Sequence, residues 1–194
     1  SVLGPPTQQD VIAELTEPEG DGAGPYAHRK RTGVFKTIRM PVFDRFVPAR
    51  KEPWVAGYLL PPQLGDLVRL LLAQGAIVGR LTGDWQGPVE SFRIDSVIAA
   101  RGVFEGHRTV TVEGQWAARD GKLPAGWYYV PTDQRLGMLA AYLLEPESED
   151  GFATWNFLDR VLRPRGEYPI LRVRQPLIGG VVQVSRQSSQ VTGF

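Results

Sequence analysis

Apolar and polar positions along the chain predict strands interrupted by two helices. The run WVAGYLL at 54–60 is almost uniformly apolar, as expected of a strand buried on both faces. Pro61 and Pro62 end it where proline is tolerated at a helix start, and Leu64, Leu67, Val68, Leu71 and Leu72 then recur at spacings of three and four. Gly75 occupies the C-cap position of that helix, and 76–81 returns as a strand. Two alternating stretches follow, 89–100 with Val89, Phe92, Ile94 and Val97 as core positions, and 107–118 with Val110, Val112 and Trp116. Residues 101–106 and the Arg119-Asp120-Gly121 triplet carry the glycine and aspartate chemistry of hairpin turns.

The stretch 126–159, GWYYVPTDQRLGMLAAYLLEPESEDGFATWNFLD, organises the rest. It reads as an aromatic strand at 126–130, a turn at Pro131, an apolar-faced helix over 133–144, an acidic loop at 145–151 and an aromatic segment at 152–158. Thr154 is placed to cap a short helix at 155–162, 168–173 is a last strand, and 181–184 an extra edge strand. AGYLLP at 56–61 and GWYYVP at 126–131 are both aromatic strands ending in proline before a leucine-faced helix, from chance or from one unit used twice. The expected fold class is α+β: a mixed, largely antiparallel sheet with two main helices packed on it.

Residues 1–33 read as a flexible or extended lead-in, with turn residues at 4–6 and 17–25 around a short strand or helical turn at 10–15. Residues 34–174 form the single predicted α+β domain. In 34–47 Pro41 interrupts an alternating pattern, which points to an edge strand or connector. Residues 175–194 are a C-terminal tail.

Composition narrows function by exclusion. With 194 residues, 42% hydrophobic and 22% charged, the chain has ordinary globular proportions. A net charge of +1 gives no global attraction to nucleic acid or to an anionic membrane, although 14–21 is acidic and HRKR at 28–31 basic, as in a solvated, mobile segment. Zero cysteines remove disulfides, thiolate metal sites and a cysteine nucleophile together. The apolar runs fall far short of the roughly 20 residues of a membrane helix. No signal-peptide pattern opens the chain, and a first residue of Ser fits a processed or truncated piece.

The segments AGYLLPP, LLLAQGAIVGRLTG, VESFRI, the 124–159 run and EYPILRV, spread over 35–174, resemble the region that follows the catalytic domain in bacterial zinc carboxypeptidase-like proteins of the carboxypeptidase A superfamily. The resemblance implies a C-terminal, non-catalytic accessory domain that packs on or modulates a peptidase domain of the same parent chain, in the periplasm or secreted. It also implies that zinc belongs to that separate domain. The family holds zinc with a His-x-x-Glu pair and a distant histidine. Here His28 is followed three residues on by Arg31 and His107 by Val110, so neither starts the pair. The chain is therefore expected to be no enzyme itself and to need no cofactor.

Other chemistry is thin. No Gly-x-Ser-x-Gly elbow and no Walker loop occurs, and the glycines of 20–24 lack a preceding buried strand. His107 reads as an exposed strand-end histidine. Glu145, Glu147, Glu149 and Asp150 supply oxygen ligands sufficient for Ca²⁺ but not in EF-hand order, and Glu145 sits at a helix C-terminus, where an arginine partner is the expected remedy. The alternative to an accessory domain is an independent glycan- or peptide-binding module. Its candidate residues are Trp127, Tyr129, Glu145, Glu147, Asp150, Trp155 and Asn156, with Tyr128, Tyr142 and Phe157 nearby; core packing is the competing account of the aromatics.

Overall fold

The computed structural model describes residues 2–20, 28–47 and 51–185 and divides the chain into two units, Ser1–Pro53 and Trp54–Phe194. Most of the glycine-rich 20–24 stretch and the end of the tail, 186–194, lie outside the described residues. In the first unit, β1 (Val2–Leu3) pairs with β4 (Phe46–Val47), and β2 (Thr7–Pro18) pairs antiparallel with β3 (Arg29–Val42). The acidic and basic blocks are here partners across a ribbon. Glu17 stands opposite Lys30, Arg31 donates from Nε to Glu14 at 2.5 Å, and Arg39 meets Asp10 at 3.1 Å. The Arg31 bond, and after it that from the Gly33 amide, hold the Glu14 carboxyl below the usual carboxylate range. Pro41 is accommodated because each strand of a two-stranded ribbon is an edge.

The second unit is built on seven strands: β5 (Gly57–Leu60), β6 (Gly79–Leu81), β7 (Trp85–Ala99), β8 (Val110–Leu123), β9 (Tyr128–Pro131), β10 (Leu171–Val173) and β11 (Val181–Gln183), in the spatial order β11-β6-β9-β5-β10-β7-β8. Every pairing among them is antiparallel. Central β5 is buried at all four positions, because its side chains alternate between two apolar layers. Tyr58 and Leu60 join Phe92, Ile94, Val130 and Ile170 in the larger core; Leu59 joins Leu81, Val89, Leu171 and Val173 in the smaller. Helix α1 (Gly65–Gln74) contributes Leu67, Val68, Leu71 and Leu72 to the larger core and ends at Gly75, whose φ of 98° only glycine adopts without strain. Helix α2 (Gly137–Leu144) adds Ala140, Ala141 and Leu144.

The architecture corrects the α+β expectation. The unit is β-rich, with a wholly antiparallel sheet and two short helices among the described residues. Three local causes account for the difference. Helix α2 starts at Gly137, because the Gln134 side chain bonds the backbone of Pro131 and Ile77 and holds the segment before it in turns. The segment after Thr154 also turns repeatedly instead of forming the expected helix; Thr154 Oγ1 donates to the Ser148 carbonyl, and Asn156 is left-handed at φ 69°. Arg119-Asp120-Gly121, expected as a turn, continues β8, with Gly121 opposite Gly87 and Asp120 opposite Pro88. No described helix is long and apolar enough to cross a membrane.

Gly137 marks the tightest approach, since a Cβ there would overlap the Thr132 carbonyl oxygen, whereas nothing lies within 4 Å of a Cβ built on Gly83. Gly137→Ala is expected to cost about 2 kcal/mol or more by forcing backbone apart. Gly83→Ala should stay within about 0.5 kcal/mol of the parent, both read from urea unfolding midpoints.

Candidate functional site

An apolar groove of about 380 Å³ opens between the two helices and the aromatic loop after α2. Leu70 and Gln74 reach it from α1, Leu139 and Leu143 from α2, and Phe152, Trp155 and Phe157 from the loop. Leu70 at 39%, Leu139 at 36% and Phe157 at 53% exposure leave its lips open to solvent. The loop is fixed by its own bonds. The Phe152 amide donates to Leu143 O at 2.9 Å, and Trp155 Nε1 donates to Asp150 Oδ1 at 3.0 Å. Asn156 Nδ2 donates to the Arg108 carbonyl at 3.0 Å, while its Oδ1 lies 3.3 Å from His107 Nδ1. The edges of His107 and Trp155 meet at 5.4 Å between ring centres, with Phe104 6.1 Å from Trp155.

Asp150, Trp155 and Asn156 thus come together, and they enlist His107, a strand-end residue in the sequence reading. Glu147 is an exposed member of the adjoining acidic loop. Glu145 is elsewhere in effect. It caps the C-terminus of α2 and faces Arg172 of β10, whose side chain is 3% exposed. Arg172 donates from Nε to Glu145 Oε1 at 2.8 Å and from Nη2 to Oε2, and the Tyr58 hydroxyl adds a bond to Oε1 at 2.5 Å. The other face of the guanidinium lies 3.9 Å from the Trp116 ring centre, and Trp116 meets Phe92 edge-on at 5.2 Å. Burial, then the Glu145 charge, pushes the Tyr58 hydroxyl far above its ordinary pKa; the same causes raise that of Tyr168, which donates to Leu144 O at 3.1 Å.

Trp127 and Tyr129 lie in the smaller core with Leu59 and Leu171, away from the groove. The Tyr129 hydroxyl donates to Ala56 O at 3.3 Å, and burial raises its pKa. Tyr129 also borders an open cavity of about 600 Å³ with Trp54, Asp133 and Arg174.

Zinc does not fit these residues. A hydrolytic zinc takes three protein ligands and an open position, yet no group of three His, Cys, Asp or Glu among the described residues could hold a metal ion.

The chain is similar to fungal carboxypeptidases. It is 38% identical over 116 residues to a protein named carboxypeptidase 2 from Trichophyton tonsurans, covering 60% of this chain and 21% of that one. The homonymous proteins of Trichophyton equinum and Trichophyton rubrum match at 37% and 36% over 117 residues, again 60% of this chain and 21% of theirs. The chain therefore spans about a fifth of the length of the curated relatives it matches. No protein-family model and no solved structure matches it. These relatives do not support the bacterial setting that the sequence resemblance implied.

Chemically, the described lining of the groove offers apolar contact beside one carboxylate, Asp150. The sequence reading missed Leu70 and Leu139; for Leu139 the available signal was the helix sequence GMLAAYLL, apolar on every side.

The clamp yields two expectations. Arg172→Ala should cost about 3–5 kcal/mol by stranding Glu145, and the double change Glu145→Gln with Arg172→Met should recover part of it in urea unfolding. The tyrosines predict alkaline lability. Their folded pKa values lie above the unfolded value of about 10, so the stability they supply is intact below that pH. It falls by about 1.4 kcal/mol per pH unit per tyrosine as pH rises further. Unfolding midpoints between pH 9 and 11 should show a shallower slope for Tyr58→Phe.

Proposed function

We propose that this chain is the C-terminal, non-catalytic accessory portion of a zinc carboxypeptidase-like protein, packing on or modulating the catalytic domain of the same parent polypeptide. The observation that carries the proposal is the 36–38% identity to carboxypeptidase 2 proteins over only 21% of their length, in a chain whose described residues do not group the donors of a hydrolytic zinc site. In this reading, zinc and C-terminal peptide release belong to the larger remainder, and the exposed groove supplies contact surface.

A second reading, an independent glycan- or peptide-binding module, is favoured by one observation. Trp54 is 55% exposed beside Tyr129, Asp133 and Arg174 in the 600 Å³ cavity, an aromatic platform with polar groups on its rim.

The test is to produce the full parent chain and the 194-residue chain separately, then assay zinc content and release of C-terminal residues from peptides. The parent is expected to hold about one zinc and to show activity that chelation abolishes, the 194-residue chain neither. Chelator-sensitive release by the 194-residue chain alone would overturn the proposal, and so would an inert, zinc-free parent.

A further inference from the structure

Helix α2 is an anomaly on a protein surface. Its inward positions Gly137, Ala140, Ala141 and Leu144 are buried, but its outward positions are Met138, Leu139 and Tyr142, exposed at 71%, 36% and 44%. A solvated helix carries charge on that side. Helix α1 does so, with Asp66 and Arg69 facing water, and exposes leucine only at Leu70, on the lip of the groove shared with α2. The exposed apolar side chains of α2 thus adjoin the groove and the neighbouring Phe157, and the bonds of Asp150, Trp155 and Asn156 hold the loop side of that surface in shape. Such preorganisation lowers the cost of docking.

The electrostatics are one-sided at the groove. Asp150 is the one charged residue among the described residues that line it. The C-terminal end of the α2 dipole points negative potential the same way, and Arg135 precedes the opposite end of the helix. A chain that matches only 21% of the length of its relatives leaves the bulk of such a polypeptide to supply a partner, tethered and hence at high effective concentration.

We infer that the outward face of α2 and its groove are the seat of the remainder of the parent chain, through a patch that pairs an apolar side chain with a Lys or Arg set against Asp150. The inference rests on the accessory-domain reading and adds its surface and the chemistry of the partner.

Hydrogen exchange on the full-length parent and on the 194-residue chain tests it. Amides of α2 and of residues 152–157 should exchange at least tenfold more slowly in the parent, with β7 and β8 unchanged. Met138→Lys and Met138→Glu, made in the parent at a position open enough to leave the fold intact, should both reduce that protection, the lysine variant at least threefold more. Equal exchange in parent and fragment would overturn the seat, as would protection of the fragment alone that grows with its concentration, the mark of a second copy on this face. A glutamate variant that loses as much as the lysine variant would overturn the basic partner. The outcome is separable from the peptidase reading: protection at α2 in a parent without zinc-dependent activity supports the surface while removing the activity.

Discussion

A guanidinium held away from water between a carboxylate and an indole sets the geometry of the second unit. Arg172 in β10 reaches Glu145 at the end of α2, takes in the Tyr58 hydroxyl from β5 and stacks on Trp116 of β8. Four elements distant in sequence are thereby tied at one point. A buried ion pair is weak evidence of net stability, since desolvation offsets much of the Coulomb gain. Its value here is positional. The carboxylate must lie where the α2 dipole disfavours it, so α2 can end in only one place relative to the sheet, and the loop that walls the groove starts from there.

The sheet supplies the frame for that clamp. Burial of central strands on both faces explains why GYLL is continuously apolar while outer β8 alternates. Arg172 and Tyr58 stand directly opposite each other in the β10–β5 register, and Glu90 stands opposite Arg172 on the other side. The same pleat that directs Leu59 and Leu171 into the smaller core turns these polar groups toward the helices.

Legibility in the sequence followed the range of the interaction. Helix α1 was readable because its determinants are local: the leucine spacing, the prolines before it and the glycine after it. The need for a cation at Glu145 was readable too, from the helix end alone. That the cation is Arg172, 27 residues away, was not, because only the pairing of β10 with β5 brings it there. The helical reading failed at 133–136 and 155–162 for a related reason: side-chain bonds from Gln134 and Thr154 compete with helical ones, and periodicity is blind to them. Arg-Asp-Gly looked like a turn because glycine and aspartate serve turns, but here glycine serves a crowded ladder, where a Cβ on Gly121 would come 2.8 Å from Val89 Cγ1. For the candidate site, the residue types were visible and the grouping was not. Trp155, Asn156 and Asp150 converge with His107, whereas Trp127 and Tyr129 belong to the opposite layer.

Polar and apolar groups are distributed differently in the two units, and the difference bears on function. In the first unit, charged residues face one another across the ribbon, Glu14 with Arg31 and Asp10 with Arg39, so cross-strand pairing employs charge that the sequence alone read as a solvated segment. In the second unit α2 differs, because Met138, Leu139 and Tyr142 on its outward face are apolar and exposed. Arg172, Asn156 and Trp155 show that this unit does organise its buried and half-buried polar groups. An apolar outward helix face beside a groove whose loop wall is held by its own bonds departs from the polar patterning of α1, and that departure is what the proposed seat of the parent chain is built on.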